Sequence, residues 1–406
     1  MVVGLSNLPC LHPIAGIRLG SAPQHARKDS RNAIMVMAIE PGGQCAAVFT
    51  RNAFSAAPVK IARAHLNQGP PRFCLINSGN ANAGNGARGL EDALATCKVL
   101  AEHTGCSVTN VLPFSTGVIG EPLPVAWISD AIPTAVAALS ENGWADAARA
   151  IMTTDTVPKG VSEKIQIQDH TLTVTGIAKG AGMIHPNMAT MLAFVATDAS
   201  VQGILLQQCL HDAVDRSFNR ISVDGDTSTN DACVLVATGQ TDLHPIDAVD
   251  SEAYVAFRDA VTEVCTHLAQ AIVRDGEGAT KFVTIEIQDG KTDQECRQVA
   301  YTIANSPLVK TAFFASDPNW GRILAALGRA GLAGLDVSCV SIFLDDVCVV
   351  RDGERAAEYT EAKGRAVLSR DELKVRVELG RGRASSTVWT CDLSYNYVRI
   401  NAEYRT

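Results

Sequence analysis

Helical and strand patterns follow one another in this 406-residue chain without a regular alternation, and this constrains the fold most strongly. Apolar residues recur at helical spacing over 201–218 and 253–273. Strict alternation of apolar and polar residues over 283–287 and 375–379 indicates half-buried strands. A regular strand–helix–strand order would predict a doubly wound parallel sheet. Its absence favours an α+β sandwich.

Two turn-rich segments predict local connections. Residues 72–76 are typical of a short buried strand, and the run SGNANAGNGARG then leads into a helix that ends at Gly105. Such a loop could hold a phosphate at the helix N-terminus, but it lacks both GxGxxG spacing and a GK[ST] ending, so tight turns are the favoured interpretation. Near the C-terminus, GRGR followed by TVWTCDL predicts an antiparallel hairpin that turns on Gly380 and Gly382.

Composition narrows the class of protein. With 47% hydrophobic residues, the chain can bury one large core or two smaller ones, and two lobes are expected. A net charge of −8 provides no basic face for nucleic acid. The longest apolar stretch, 125–139, is interrupted by Asp130 and Pro133 and is too short to span a bilayer. No basic residue precedes the short apolar patch at the N-terminus, so a cytoplasmic enzyme is expected.

The 12 cysteines are scattered from Cys10 to Cys391 and form no CxxC pair. In a chain large enough to have its own core, this distribution predicts reduced and mostly buried thiols. The nine histidines show neither an HxxxH spacing nor a cysteine partner at zinc-ligand distance. We therefore expect no metal.

The segment AKGAGMIHPNMATMLAF, residues 178–194, changes abruptly from glycines and a proline to an apolar run that begins at Thr190. A threonine at such a position is ordinarily a β-branched packing residue. A second interpretation is chemical. Its hydroxyl can attack the carbonyl carbon of Ala189, and water can then release the upstream segment. The new α-amine has a pKa near neutrality and can act as the base for the hydroxyl of the same residue.

Many further motifs occur in one order along the chain, and together they resemble a known family. They are VFTRNAFSAAPV (48–59), NSGNANAG (77–84), STGVIG (115–120), MTTDTVPK (152–159), SVDGDTSTND (222–231), RDGEGATKF (274–282), SPLVKTAFF with DPNWGR (306–322) and the terminal NAEYRT. With KGAGMIHPNMATMLAF, these motifs resemble the ornithine acetyltransferases of arginine biosynthesis, also called glutamate N-acetyltransferases, of the bifunctional ArgJ type.

This resemblance implies an αββα sandwich of mixed sheets flanked by helices, cut at the Ala189–Thr190 bond into fragments 1–189 and 190–406. It implies that Thr190 is the nucleophile and that Thr116 and Gly117 form the oxyanion hole. The implied substrate contacts are Thr153, Lys179, Thr190, Glu277, Asn401 and Thr406. Thr154 would serve the same argument as Thr153.

The implied reaction moves an acetyl group from N-acetylornithine to glutamate through an acetyl-Thr190 ester. The ester preserves the energy of the acetyl group, so the implied exchange needs no cofactor. Acetyl-CoA as an additional donor stays open, and the resemblance suggests that two pairs of fragments assemble as a heterotetramer. Two alternatives remain: a hydrolase that uses water as the acceptor, and a non-catalytic binding protein that never cleaves. His185 is interpreted as a conformational residue beside Pro186 and not as a base.

Overall fold

The computed structural model describes residues 2–5, 7–23, 33–167, 169–185 and 191–404. Its strands and helices give a mixed α+β architecture. The strands are β1 (Ile17–Pro23), β2 (Ala33–Ile39), β3 (Gln44–Phe49), β4 (Phe73–Asn80), β5 (Val111–Val118), β6 (Lys159–Ile167), β7 (His170–Lys179), β8 (Leu192–Thr197), β9 (Ile221–Ser222), β10 (Ala232–Ala237), β11 (Phe282–Gly290), β12 (Ser341–Leu344), β13 (Val347–Arg351), β14 (Glu354–Arg355), β15 (Glu372–Glu378) and β16 (Ala384–Cys391). The helices are α1 (Ala57–Leu66), α2 (Gly86–Thr104), α3 (Val125–Ala137), α4 (Trp144–Ala150), α5 (Gly203–Arg216), α6 (Glu252–Arg274), α7 (Asp293–Ala304), α8 (Pro307–Phe314), α9 (Trp320–Gly328), α10 (Glu361–Leu368) and α11 (Tyr395–Ala402).

Two of the three sheets pack face to face. The first has the order β1-β2-β4-β5 and the second β3-β10-β8-β7-β6, and both contain parallel and antiparallel pairs. One apolar cluster lies between them, and the rings of Phe114 and Phe194 meet edge to face across it at 5.2 Å. Helices α2 and α3 cover the outer face of the first sheet, and α5 and α6 cover that of the second. The predicted αββα sandwich is therefore confirmed.

Helix α6 shows how the sequence fixes an element that borders the site. Its predicted apolar stripe is buried against the second sheet, and the Ser251 side chain accepts a hydrogen bond from the backbone of Tyr254. Such a cap contributes about 1 kcal/mol. The helix ends at Arg274, so the following residues, Asp275 to Glu277, turn back toward the sandwich. Helix α2 likewise ends where predicted, at Gly105, with a φ of +69°.

A second lobe is built on the third sheet, whose order is β14-β13-β12-β15-β11-β16-β9. Helices α7 to α10 and this sheet enclose a separate apolar cluster. Strand β9 lies in the chain between α5 and α6 of the sandwich, yet it pairs with β16 of the third sheet. Strand β9 therefore links the third sheet to the sandwich.

The predicted hairpin at the C-terminal end is wrong. Strands β15 and β16 do not pair, because β11 lies between them, parallel to β15 and antiparallel to β16. The connection crosses the end of β11, where Arg381 donates its backbone N–H to Asp289. A Cβ on Gly382 would overlap the backbone of Gly290. The glycines therefore allow a close crossing and not a two-strand turn.

Two compositional predictions can be compared with the structure. All 12 cysteines are free thiols, and eight of them are buried, as expected. Among the described residues, no helix is both long and apolar enough to cross a membrane.

Candidate active site

A cavity of about 280 Å³ lies at the edge where the two sheets of the sandwich meet. Its walls come from the end of β5, the end of β7, the residues just before β8 and β10, the loop after α6, and the C-terminal segment. Six of the predicted site residues line it: Thr116, Gly117, Thr153, Lys179, Glu277 and Asn401. Thr154 lines it as well. Ala189, Thr190 and Thr406 lie outside the described residues.

The end of β5 presents Thr116 and Gly117 to the cavity. Gly117 has a φ of +132°, and a Cβ there would overlap the backbone of Gly79 on the paired strand β4. Only glycine allows this close approach. The Lys179 ammonium donates to Thr116 Oγ1 at 3.3 Å. Because an ammonium has no acceptor, the threonine oxygen accepts here, and its own O–H remains available as a donor.

Asn230 fixes the position of this strand end. Its amide Nδ2 donates to the carbonyl of Ala81 at 2.6 Å and to that of Ser115 at 2.9 Å. The residue is buried and lines the cavity. It therefore ties the segment before β10 in the second sheet to the residue immediately before Thr116 in the first.

Glu277 and Asn401 form another wall. Asn401 Nδ2 donates to Glu277 Oε2 at 2.8 Å, and the Glu277 backbone donates to the carbonyl of Ala181 at 2.8 Å. Asn401 lies on α11, which is held by Ser394: its hydroxyl accepts from Asn396 at the start of the helix and donates to the Gly278 carbonyl at 2.6 Å. The C-terminal segment reaches the cavity with Tyr404 as well, which also lines it.

Behind the cavity lies a buried ion-pair cluster formed by Asp155, Lys159 and Asp275. Lys159 Nζ donates to Asp155 Oδ1 at 2.6 Å and to Asp275 Oδ2 at 2.7 Å, and all three side chains are almost fully buried. Burial opposes the charge on Asp155, but Lys159, Lys179 and the Gly180 N–H hold the pKa of this carboxyl below its usual range. Burial also opposes the charge on Lys159, whereas the two carboxylates raise its pKa.

The cluster positions several walls of the cavity at once. Asp155 accepts from the backbone N–H of Gly180 at 2.7 Å and from that of Thr153 at 3.0 Å. Asp275 lies two residues before Glu277 and accepts from the Thr156 backbone at 2.9 Å. The cluster therefore joins the segments that carry Thr153, Lys179 and Glu277.

Lys179 and Asp231 are two buried ionisable groups in the cavity wall. Burial lowers the pKa of Lys179, and the carboxylates of Asp155, Asp231 and Glu277 oppose this effect. Burial raises the pKa of Asp231 well above its usual value, against hydrogen bonds from Ser228 and the Lys179 charge. A small cationic and anionic pocket of this kind suits an amino acid better than an apolar ligand.

The model of the ArgJ family matches residues 18–406 of the sequence. The chain belongs to the ArgJ family. It is 56% identical over 406 residues to the arginine biosynthesis bifunctional protein ArgJ of Pseudomonas fluorescens, with full coverage of both chains. Over 396 residues it is 59% identical to the protein of that name from Methylococcus capsulatus, covering 98% of this chain and 97% of the relative.

A solved ArgJ structure from Bacillus halodurans agrees with the fold. It covers 53% of this chain and 100% of its own, with a TM-score of 0.51 and 39% identity. Family membership thus rests on sequence matches over nearly the whole chain, together with a related fold over half of it.

Two sequence interpretations concern residues outside the cavity wall. His185 accepts a hydrogen bond at Nδ1 from the Asn305 amide at 2.9 Å and packs against the Tyr301 ring with a centroid distance of 4.6 Å. These contacts agree with a conformational role. In the loop after β4, the side chain of Asn80 accepts a hydrogen bond from the backbone N–H of Asn82 at 2.8 Å, and the Asn82 amide donates to the Gly89 carbonyl at 2.8 Å. Such bonds support the tight-turn interpretation.

Sequence reasoning assigned no role to Asn230, Asp231, Lys159 or Asp275. Each lies within or beside a motif that supports the ArgJ resemblance, so the segments were identified while the individual functions were not. The signal in the sequence was a polar or charged residue at the border of a buried strand, namely Lys159 at the start of β6 and the pair Asn230–Asp231 just before β10.

Proposed function

We propose that this chain transfers an acetyl group from N-acetylornithine to glutamate through an ester on Thr190, after cutting its own backbone between Ala189 and Thr190. The observation that carries the proposal is the single cavity into which Thr116, Gly117, Lys179, Glu277 and Met191 converge. The relatives' names, which place them in arginine biosynthesis, support the pathway.

Chain connectivity supports Thr190 as the nucleophile. Met191 lines the cavity, and adjacent Cα atoms are about 3.8 Å apart, so Thr190 is within reach of the same space. On the other side of the 180–191 connection, Asp224 accepts from the backbone N–H groups of Met183 and Ile184 at 2.6 and 2.8 Å. Both ends of the segment that contains the scissile bond are therefore anchored.

The N–H of Gly117 and the O–H of Thr116 are the proposed oxyanion donors. Their positions are fixed by close strand packing and by Lys179 and Asn230, and preorganised donors stabilise charge without reorganising. One such donor contributes about 3 to 4 kcal/mol to transition-state stabilisation. Both tasks of Thr190, cleavage and acetyl transfer, pass through a tetrahedral centre that these donors would serve.

Charge in the cavity supports an amino-acid substrate. Lys179 would pair with a carboxylate and Glu277 with a cationic amine. Asn401 orients Glu277 by its hydrogen bond, and Thr153 is held beside them by Asp155. Thr406 completes the proposed substrate contacts, two residues beyond Tyr404. Thr154 remains an alternative to Thr153 because both line the cavity.

The two fragments, 1–189 and 190–406, would stay together after cleavage. Strands β7 and β8 pair over six residues on either side of the cut, beginning with Lys179 opposite Leu192. Strands β3 and β10 also pair across it, and the buried Lys159–Asp275 ion pair joins the fragments. We further propose that two such pairs form a heterotetramer in the cytoplasm. Acetyl-CoA is proposed as a second donor for glutamate.

Self-cleavage is tested on a denaturing gel. The purified protein should give two fragments of similar size and no band at 42.9 kDa. Thr190→Ala should give the single uncut chain, because it has no hydroxyl to attack Ala189. The control Thr302→Ala, on the exposed side of α7, should be cut normally. A Thr190→Ala protein that is cut as fast as the wild type would exclude Thr190.

Transfer is tested by incubating the processed protein with N-acetylornithine, with and without glutamate. We expect glutamate to accelerate ornithine release and to appear as N-acetylglutamate. Equal release without glutamate would identify a hydrolase, and no release in either case would favour a non-catalytic protein. Replacing N-acetylornithine with acetyl-CoA tests the second donor in the same assay.

A further inference from the structure

Asp231 is a carboxyl group in the cavity wall to which the proposed function assigns no task. It lies directly before β10, the strand that lies between β3 and β8 in the second sheet. Its backbone carbonyl accepts from Thr50 at 2.9 Å, and the next residue, Ala232, donates to the Met191 carbonyl at 2.9 Å. The backbone is thus held on both sides. The residue is 2% exposed and lines the cavity beside Met191.

One oxygen of this carboxyl has no partner in the part of the chain that the structure describes. This oxygen is Oδ2, and it is buried. By contrast, the Glu277 carboxylate accepts from Asn401, and Asp155 accepts from Lys159, Gly180 and Thr153. A buried polar atom without a partner costs about 1 to 3 kcal/mol. Such atoms are few in native structures, and a catalytic role is one of the explanations for them.

The surroundings of Asp231 favour its protonated form. Burial raises its pKa, and the charged group acting on it is the Lys179 ammonium of β7, whose own pKa is lowered by burial. Glu277 lines the same cavity. A neutral carboxyl is a proton donor, which the paired carboxylates of Asp155 and Asp275 are not.

We propose that Asp231 is the acid–base residue for the substrate amine: it protonates the nitrogen that departs from the acetyl group and later takes a proton from the acceptor nitrogen. This proposal rests on the proposed function. An amide nitrogen is a poor leaving group unless it gains a proton as the C–N bond breaks. The α-amine of Thr190 takes the proton from its own hydroxyl, and Asp231 would provide a second group that protonates the leaving nitrogen directly.

The proton balance closes over the two half-reactions. In the first, Thr190 Oγ bonds to the acetyl carbon, its proton passes to the Thr190 α-amine, the C–N bond breaks, and Asp231 gives its proton to the leaving nitrogen. In the second, a neutral acceptor amine attacks the ester, Asp231 takes a proton from that nitrogen, and the α-ammonium returns a proton to Oγ. Asp231 is ionised only in the acetyl-enzyme.

Two donors that differ in their leaving groups test this role. N-acetylornithine releases an amine that must be protonated, whereas 4-nitrophenyl acetate releases a stable anion. We measure acetylation of Thr190 in a single turnover. Asp231→Asn should slow the reaction with N-acetylornithine by about 100-fold or more. With 4-nitrophenyl acetate its rate should stay within about threefold of the wild type, because no proton is then required.

Matched variants separate chemistry from structure. Asp198→Asn removes a half-buried carboxyl directly after β8, whose pKa is also raised by burial, at a position outside the cavity lining. It should leave both rates unchanged. Asp231→Glu keeps the carboxyl and should recover part of the rate with N-acetylornithine. Equal losses with both donors in Asp231→Asn, or no loss with either, would overturn the proposal.

The wild-type pH profile provides a test that needs no variant. The rate with N-acetylornithine divided by the rate with 4-nitrophenyl acetate cancels the titration of the Thr190 α-amine, which both reactions share. This ratio should fall as the pH rises through the pKa of Asp231. A ratio independent of pH would exclude Asp231 as the acid. Failure of wild-type protein to acetylate Thr190 with either donor would instead contradict the proposed function.

Discussion

Two buried carboxyl groups near Lys179, those of Asp155 and Asp231, have opposite electrostatic surroundings. Asp155 is paired with Lys159 and accepts backbone hydrogen bonds, so its pKa is lowered. Asp231 has one oxygen without a partner among the described residues, and its pKa is raised. Burial disfavours the charge at both positions, and the hydrogen bonds and the Lys179 charge at Asp231 do not outweigh it. The comparison teaches that one pocket can contain a structural carboxylate and a reactive carboxylic acid. Their different hydrogen-bond and charge partners determine which of the two is ionised.

The largest effect is expected from removing the cation of the paired cluster. Lys159→Met leaves Asp155 and Asp275 buried without their shared partner, and breaking a buried pair in this way costs about 3 to 5 kcal/mol. The free energy of unfolding in urea measures it, in a Thr190→Ala background so that one chain unfolds. The control Arg18→Met removes the exposed ion pair between Arg18 and Glu40, whose nitrogen and oxygen lie 3.3 Å apart. It should change the free energy of unfolding by less than about 1 kcal/mol. Equal effects would contradict the assigned role of the cluster.

The next effect concerns acid stability. Because folding lowers the pKa of Asp155, its ionised form stabilises the folded state above the ordinary pKa of an aspartate, and that contribution is lost as the pH falls below about 4. In the Thr190→Ala background, Asp155→Asn should cost about 1 to 3 kcal/mol at neutral pH. The difference in unfolding free energy should narrow in acid. A difference that widens as the pH falls would show that Asp155 is not the stabilised anion.

The smallest expected effect is that of Asp231→Asn on the free energy of unfolding, and its sign is opposite to that of Asp155→Asn. Folding raises the pKa of Asp231, so the residue does not destabilise the folded state in acid, where it is protonated. It destabilises the folded state increasingly as the pH rises above the ordinary aspartate pKa. Asp231→Asn should therefore be at least as stable as its parent at neutral pH, with any advantage disappearing toward pH 3 to 4. The same urea titrations measure this. Marked destabilisation at neutral pH would mean that the Asp231 carboxylate is paired and structural.

Sequence periodicity predicted the elements more successfully than their partners. The apolar stripe of α6 and the glycine end of α2 are local properties and were located correctly. The hairpin after β15 was wrong because alternation identifies a strand without stating which strand lies beside it, and β11 inserts between β15 and β16.

The candidate site shows a similar limit. Family motifs identified Thr116, Lys179 and Glu277, which the fold brings to one cavity from distant parts of the chain. The difference between Asp155 and Asp231 could not be predicted, because it depends on which oxygen finds a partner after the second sheet has formed. Both residues are simply aspartates within motifs in the sequence.

The most direct test of the central claim is the mass of the peptide that begins at residue 190. Wild-type protein is incubated with N-acetylornithine without glutamate, quenched in acid, digested and analysed by mass spectrometry. We predict a new N-terminus at Thr190 that carries one acetyl group on its hydroxyl, and loss of that group when glutamate is added before quenching. An N-terminus elsewhere, or an acetyl group on another residue that glutamate removes, would contradict the account.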